Sequence, residues 1–156
     1  MSQTVLKATA TAIAAGVPVL VWGGPGVGKT SGITAIARSS GLHFEAVIAS
    51  IREPSDFAGL PVVGEHGVTF APPDWAKRLA AAGRGILLLD ELSTAPPAVQ
   101  SALLRVVFER QVGDLTLPAG VRIVAAANPP EEAADGWDLA PPLANRFCHL
   151  DWTLDV

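Results

Sequence analysis

The segment from Gly23 to Thr30 reads GGPGVGKT and fits the pattern G-x-x-x-x-G-K-[ST] without a mismatch. In this pattern, the glycines let successive backbone N–H groups turn toward a phosphate, the lysine reaches the outer phosphates, and the hydroxyl holds magnesium. An apolar run over 17–22 precedes the segment, and a stretch of helical character from Lys29 to about Ser39 follows it. This order predicts a strand, a phosphate-binding loop and a helix, which together form a unit of parallel α/β sheets.

The predicted phosphate contacts lie in this loop and in the first turn of the helix after it. Backbone N–H groups at a helix N-terminus have no partner within the helix, and they therefore bind anions. Thr30 is predicted to bind Mg²⁺ as well as phosphate. The residues that we expect to contact the phosphates are Gly24, Pro25, Gly26, Val27, Gly28, Lys29, Thr30 and Ser31.

The composition limits the class of protein. The 156 residues suffice for one domain with a real core, and 49% of them are apolar, 17% are charged and the net charge is −4. This balance favours a buried α/β sheet and argues against a basic surface for nucleic acid, so we do not expect a nucleic-acid partner. Cys148 is the single cysteine and cannot form an internal disulfide; we expect a buried, inert thiol.

The uncharged stretch between Lys7 and Lys29 resembles a signal peptide only faintly. Glycines and prolines interrupt the stretch, so it contains no run of about 20 apolar helical residues that would span a bilayer. Cleavage within it would also destroy the phosphate-binding loop. We therefore predict a cytoplasmic protein with no membrane partner.

Helical and strand patterns alternate along the rest of the chain. Besides the strand before the loop, apolar runs predict strands at 44–48, 85–89, 121–127 and 147–150. Besides the helix after the loop, helices are predicted at 3–15, 74–82, 96–109 and 143–146, and hairpins at 60–70 and around Gly113 and Asp114. Strands separated by helices imply right-handed crossovers. The prediction is the α/β three-layer fold of P-loop NTPases, with a five-stranded, mainly parallel sheet, helices on both faces and small hairpin insertions.

Two acidic residues follow the predicted strand at 85–89. Ligands of an open parallel sheet bind beyond the carboxyl ends of its strands, so Asp90 and Glu91 are expected near the phosphate-binding loop. There Asp90 would complete the Mg²⁺ shell with Thr30, directly or through water, and Glu91 would orient and deprotonate a hydrolytic water. The alternative interpretation is an acidic pair that caps a helix.

Asn128 and Arg146 each have two kinds of explanation. The side-chain amide of Asn128, at the end of the strand predicted at 121–127, would fix the attacking water; alternatively, Asn128 is a turn residue before two prolines. Arg146 is either a surface arginine or a charge at a helix C-terminus, or it is a finger that stabilises transition-state charge in a neighbouring subunit's site.

The order of these motifs resembles that of the AAA+ ATPases and, within them, of the MoxR-like group. Walker A and Walker B motifs occur in many P-loop proteins, whereas the whole set of motifs in this order resembles that of the MoxR-like group. The motifs are Gly23–Thr30 (Walker A), 54–59 (PSDFAG), 88–91 (LLDE, Walker B), 95–104 (APPAVQSALL), 109–112 (ERQV), 127–129 (ANP, sensor one) and 145–147 (NRF).

The resemblance implies binding and hydrolysis of ATP with Mg²⁺, coupled to remodelling or activation of a protein partner. It implies that Asn128 is the sensor that positions water, and that Arg146 is the finger acting in trans. It also implies a ring, hexameric in the intact protein, whose central pore the two hairpins face. The client is expected to be a protein, and a protein with a von Willebrand factor A domain is a candidate partner.

The chain departs from the family pattern in two respects. Asn145 stands where the family usually has aspartate before the arginine, and the sequence given stops at Val156, before the helical lid that follows in relatives. We therefore expect that residues 1–156 are a fragment, and that they form the nucleotide-binding α/β core domain without its C-terminal helical lid. Two alternative functions stay open at this point: a nucleotide-gated assembly module with little turnover, and a P-loop small-molecule kinase.

Overall fold

Five apolar runs of the sequence form one sheet in the computed structural model of the chain, which describes residues 3–132 and 136–153. The helices and strands, in chain order, are α1 (Gln3–Ala15), β1 (Val19–Trp22), α2 (Lys29–Ser39), β2 (His43–Ile48), α3 (Ser55–Ala58), β3 (Leu60–Gly64), β4 (Gly67–Ala71), α4 (Asp74–Ala82), β5 (Arg84–Asp90), α5 (Pro97–Glu109), β6 (Gln111–Val112), β7 (Leu115–Thr116), β8 (Gly120–Ala127), α6 (Pro141–Ala144) and β9 (Cys148–Asp151). None of these helices has the length and apolar character needed to cross a membrane.

The central sheet has the strand order β2-β5-β8-β1-β9, and every neighbouring pair of strands is parallel. Strand β1, which leads into the phosphate-binding loop, lies between β8 and β9, with Trp22 opposite Ala127 and Asp151. Because parallel strands end at the same edge of a sheet, the loop after β1 lies beside the residues that follow β5 and β8.

The core lies on both faces of the sheet because side chains alternate along each strand. On β5, Leu87 and Leu89 belong to one cluster with residues of α3, α4, α5 and α6, whereas Ile86 and Leu88 belong to another cluster with residues of α1 and α2. All four side chains are fully buried, so β5 has a continuous apolar sequence rather than an alternating one. The predicted α/β fold, with a five-stranded sheet between two layers of helices, is confirmed.

The predicted helices and strands agree with the structure to within two residues at their ends, and both predicted hairpins are present, as β3–β4 and β6–β7. The prediction of a buried thiol is wrong, because Cys148 is exposed. Cys148 begins β9, an edge strand that has a neighbouring strand on one side only. An apolar run on an edge strand is covered less completely than one in the middle of the sheet.

The two hairpins contact each other and form one unit beside the sheet. The backbone N–H of Phe70 on β4 donates to Oδ2 of Asp114 at 2.7 Å, and the N–H of Asp114 donates to the carbonyl of Phe70 at 2.9 Å. The backbones of the two hairpins come close together at Gly59, just before β3, where a Cβ atom would lie 2.8 Å from Cα of Gly113. The β3–β4 hairpin exposes apolar side chains, with Leu60 61% and Val63 83% exposed.

Candidate nucleotide-binding site

The phosphate-binding loop leaves the middle of the sheet after Trp22 and enters α2 at Lys29. Gly26 and Gly28 have φ values of 76° and 86°, in the left-handed region that glycine adopts without strain. A Cβ atom at either glycine would meet nothing within 4 Å, so the conformation rather than space requires glycine there. Gly28 is the N-cap of α2 and offers no capping side chain, which leaves the first N–H groups of the helix free for an anion.

Lys29 is held by three neutral acceptors around the loop. Its Nζ atom donates to the carbonyls of Gly23 and Gly24 at 2.5 and 2.9 Å and to Oδ1 of Asn128 at 2.9 Å. Burial lowers the pKa of Lys29, whereas the negative charges of Asp90 and Glu132 act in the opposite direction. No carboxylate of the described residues forms a salt bridge with this ammonium, so its charge is available to a phosphate.

Thr30 and Asp90 meet at the mouth of the loop. The Oγ1 hydroxyl of Thr30 donates to Oδ2 of Asp90 at 2.7 Å, across 60 positions of sequence. The other carboxylate oxygen, Oδ1, accepts a 2.9 Å hydrogen bond from the backbone N–H of Glu91, which fixes the orientation of the carboxylate. Hydroxyl and carboxylate oxygens are ligands that Mg²⁺ prefers, so these two residues fit a Mg²⁺ ion.

Glu91 has an unusual backbone and a specific side-chain partner. Its φ of 54° lies in the left-handed region, where residues other than glycine are uncommon and functional residues are enriched. The hydroxyl of Ser50, in the turn after β2, donates a hydrogen bond to Oε2 of Glu91. The carboxylate predicted to act as a base therefore accepts a hydrogen bond from a residue that follows β2, the strand next to β5.

Asn128 follows β8, the strand next to β1, and its side chain points to the loop. Besides accepting from Lys29, it is held through its backbone N–H, which donates to Oγ of the buried Ser93 at 3.2 Å. The side chain and the backbone of Asn128 are thus both held by hydrogen bonds. A fixed amide at this place can orient a small molecule between the loop and the acidic pair.

These residues surround one cavity of about 370 Å³, within the range of small-molecule sites. It brings together the loop, the acidic pair and Asn128, as the sequence predicts. Gly24 is the predicted loop residue outside the lining; its carbonyl accepts from Lys29 and its Cα faces the Glu132 carboxylate. The lining comprises Pro25, Gly26, Val27, Gly28, Lys29, Thr30, Ser31, Asp90, Glu91, Ala126, Ala127 and Asn128.

The profile of the ATPase family associated with various cellular activities (AAA) matches residues 18–149. The chain belongs to this family. It is 32% identical over 117 residues to Chaperone MoxR1 of Mycobacterium tuberculosis, in a match that covers 72% of this chain and 30% of that protein. It is also 32% identical over 146 residues to midasin of Dictyostelium discoideum, covering 85% of this chain and 2% of midasin. The predicted relation to the MoxR-like group of AAA ATPases is confirmed.

Solved structures show the same fold. A crystal structure of a protein from Cytophaga hutchinsonii superposes with a TM-score of 0.68 at 24% identity. The match covers 97% of this chain and 46% of the crystallised chain. NtrX of Brucella abortus superposes with a TM-score of 0.65 at 20% identity, with coverages of 98% and 37%. At these identities the likeness concerns the fold alone. The chain spans less than half the length of these relatives and of the two solved structures.

Arg146 lies on another part of the AAA domain surface. It is exposed, follows the C-cap Asn145 of α6, and is not among the described residues that line the cavity. Its guanidinium carbon lies 4.0 Å from the centroid of the Phe108 ring, on α5. Arg146 is therefore outside the described lining of the chain's own cavity, and a role in a neighbouring subunit's site stays a prediction.

Sequence reasoning missed three residues around the AAA site. Ser50 contacts Glu91, Ser93 holds Asn128, and the Glu132 charge acts on Lys29. One signal for Ser50 was available, because it follows the apolar run of β2 and so belongs to the same sheet edge as Asp90. Ser93 and Glu132 stand in no motif, and their contacts depend on how the loops fold back onto the site.

Proposed function

We propose that this AAA domain binds ATP with Mg²⁺ and hydrolyses it to ADP and phosphate, and that turnover remodels or activates a protein partner. The observation that carries the proposal is the hydrogen bond from Lys29 to Asn128, because it joins the phosphate-binding loop to the strand end predicted to position water. The Thr30–Asp90 pair and Glu91 border the same cavity.

Each group has one task in this mechanism. The N–H groups of the loop and Lys29 bind the β- and γ-phosphates, while Asn128 orients a water molecule toward the γ-phosphorus. Glu91 accepts the proton of that water as its oxygen bonds to phosphorus, and the bond between the γ-phosphorus and the bridging oxygen breaks to release ADP. Thr30 and Asp90 would hold Mg²⁺, which neutralises negative charge on the phosphates when it is bound.

Charge that develops on the γ-phosphate needs a further cation in this scheme. We propose that Arg146 of a neighbouring subunit supplies it, in a ring that is hexameric in the intact protein. A finger of this kind contributes roughly 10³- to 10⁵-fold to turnover in related phosphoryl-transfer enzymes. The proposal accounts for an exposed arginine that lies outside the cavity of its own subunit.

The client is proposed to be a protein. The name of the relative Chaperone MoxR1 supports this class of partner, and a protein with a von Willebrand factor A domain is our specific candidate. The exposed apolar side chains of the β3–β4 hairpin, such as Leu60 and Val63, offer a surface suited to transient protein contacts. Because the chain covers 30% of MoxR1, we also propose that residues 1–156 are the nucleotide-binding core of a longer protein.

The contact between Ser50 and Glu91 favours a second candidate, a nucleotide-gated assembly module with little turnover. The lone pair of Oε2 that accepts the Ser50 hydroxyl is not free to accept the proton of a water molecule, so this arrangement would bind nucleotide but hydrolyse it slowly. A small-molecule kinase has less support. Such kinases clamp the donor phosphates with several arginines, and none of the described residues that line the cavity is an arginine.

Two variants with matched controls test the proposal in the full-length protein. Glu91→Gln should retain ATP binding and lose phosphate release, whereas Glu53→Gln, at an exposed glutamate outside the site, should change neither. Lys29→Ala should lose ATP binding, whereas Lys7→Ala, on the exposed face of α1, should retain it. Binding is measured by calorimetry and turnover by phosphate release with and without Mg²⁺.

The outcomes separate the candidates. Phosphate release that survives in Glu91→Gln contradicts the assignment of the base. ATP binding without phosphate release in the unaltered protein, together with nucleotide-dependent assembly, favours the assembly module. Transfer of the γ-phosphate to an added metabolite, with no free phosphate, supports the kinase instead.

A further inference from the structure

Phe108 is a large apolar side chain on the outer surface of α5. The residues of this helix that face the core are buried, among them Leu103, Val106 and Val107, whereas Phe108 is 56% exposed. One face of its ring is covered by Arg146, whose guanidinium carbon lies 4.0 Å from the ring centroid. The ring therefore forms a cation–π contact with Arg146 at the protein surface.

The contact of Arg146 with Phe108 does not use the hydrogen-bond donors of the guanidinium. A cation over an aromatic face is held by attraction to the ring electrons, so the five N–H donors of an arginine in such a contact can still serve another partner. Within residues 3–132 and 136–153, Arg146 has no carboxylate within salt-bridge distance, in contrast to Arg78, which pairs with Glu45. The contact with Phe108 therefore holds the arginine without neutralising its charge.

The nearest acidic residue along the helix is already engaged elsewhere. Glu109 follows Phe108 directly, and its Oε2 atom accepts a 3.1 Å hydrogen bond from Nε of Arg105, one turn earlier on α5. The carboxylate of Glu109 is therefore paired within its own helix, and the contact that the end of α5 makes with Arg146 is the aromatic one of Phe108.

We propose that Phe108 is a positioning residue for Arg146, and that its ring holds the guanidinium at the subunit surface, ready to contact the γ-phosphate in a neighbouring subunit. The inference rests on the proposed function, in which Arg146 acts in trans. Phe108 touches neither nucleotide nor water in this scheme. Its effect is transmitted through the orientation of Arg146 alone.

The substitution of Phe108 by leucine removes the aromatic face and keeps apolar bulk. Since an exposed cation–π contact is worth about 0.5–1 kcal/mol, Phe108→Leu should lower kcat by about two- to fivefold with no change in the affinity for ATP. Phe108→Tyr retains the ring face and should retain kcat. Thermal melting of both variants establishes that each is folded.

Mixed assemblies supply the readout that a purely structural role would not change. Arg146→Ala subunits keep an intact nucleotide site, and Lys29→Ala subunits keep an intact finger, so mixing the two should restore ATP hydrolysis. Adding Phe108→Leu to the Lys29→Ala subunits should reduce the restored activity about two- to fivefold. Adding it to the Arg146→Ala subunits should have no effect, because their finger is already absent.

Failure of this inference and failure of the proposed function give different results. If Arg146→Ala abolishes turnover while Phe108→Leu leaves the mixed assemblies at full activity, Phe108 does not position the finger. An equal loss from either subunit also overturns the inference, since it indicates a packing role. If the unaltered protein releases no phosphate, or Arg146→Ala is fully active, the proposed function fails and the role of Phe108 fails with it.

Discussion

The Nζ atom of Lys29 lies 2.9 Å from Oδ1 of Asn128, although 99 positions of sequence separate the two residues. The contact forms because β1 and β8 are neighbouring parallel strands with Trp22 opposite Ala127, so that the loop after one strand meets the residue after the other. The phosphate-binding loop and the predicted water-positioning amide are thereby joined directly.

Substitution of Asn128 by alanine separates orientation of water from binding of phosphate. We expect Asn128→Ala to lower kcat for ATP hydrolysis about 10²-fold, a typical effect of removing one oriented polar group from a reacting centre. The affinity for ATP should change little, because Lys29 keeps its contacts to the carbonyls of Gly23 and Gly24. Steady-state kinetics and calorimetry measure the two quantities, and a loss of affinity at constant kcat would contradict the role in orienting water.

Substitution of Ser50 by alanine releases the carboxylate of Glu91. Without this hydroxyl the Oε2 atom is free to accept the proton of a water molecule, and a hydrogen bond to a charged group is worth about 1.5–3 kcal/mol, so we expect Ser50→Ala to raise basal phosphate release about tenfold at unchanged ATP affinity. Ser101→Ala removes an exposed hydroxyl that bonds to a backbone carbonyl of α5 and serves as the matched control. A decrease in phosphate release would instead indicate that Ser50 holds Glu91 in its productive orientation.

Glu45 gives the fold a stabilising contribution that depends on pH. Hydrogen bonds from Arg78, at 2.6 and 3.0 Å, hold the pKa of the Glu45 carboxyl below its ordinary value of 4.5, assisted by His43 and opposed by burial. Because the pKa in the folded state is lowered, this contribution is complete above pH 4.5 and is lost as the pH falls through the folded-state pKa.

The corresponding experiment compares thermal melting of the unaltered protein and of Glu45→Gln. The Tm of the variant should be lower at neutral pH, and the difference should shrink as the pH falls below 4.5. Glu53→Gln changes an exposed glutamate and should leave the Tm unaltered. A Tm difference that persists unchanged in acid would show that lost packing, not the ionised carboxylate, accounts for the effect.

Asp114 joins the two hairpins into one unit, and its removal should loosen the β3–β4 hairpin. An isolated two-stranded hairpin is marginally stable in water, so Asp114→Ala should increase amide hydrogen exchange across 60–71. Exchange in the central strands β5 and β8 should stay as it is. Glu65→Ala, in the turn of the same hairpin, is the control for removal of a carboxylate, and equal acceleration by both variants would contradict the specific role of Asp114.

The parts of the site that could be predicted are those whose conformation or position depends on a short segment of sequence. The loop from Gly23 to Thr30 requires glycines at left-handed positions such as Gly26 and Gly28, and the sequence displays that requirement directly. Asp90, Glu91 and Asn128 follow apolar runs, and the carboxyl ends of parallel strands lie at the same edge of a sheet. Their assembly around one cavity was therefore predictable, whereas their roles in catalysis remain predictions.

The amino-acid sequence by itself determined the alternation of helices and strands and the phosphate-binding loop, since periodicity and backbone conformation act over a few residues. Only the tertiary structure decided the strand order β2-β5-β8-β1-β9, the contact of Ser50 with Glu91, the exposure of Cys148 and the placing of Arg146 over Phe108. These features join residues that are distant in sequence. They depend on which strands become neighbours and how the helices pack, and no short segment specifies that outcome.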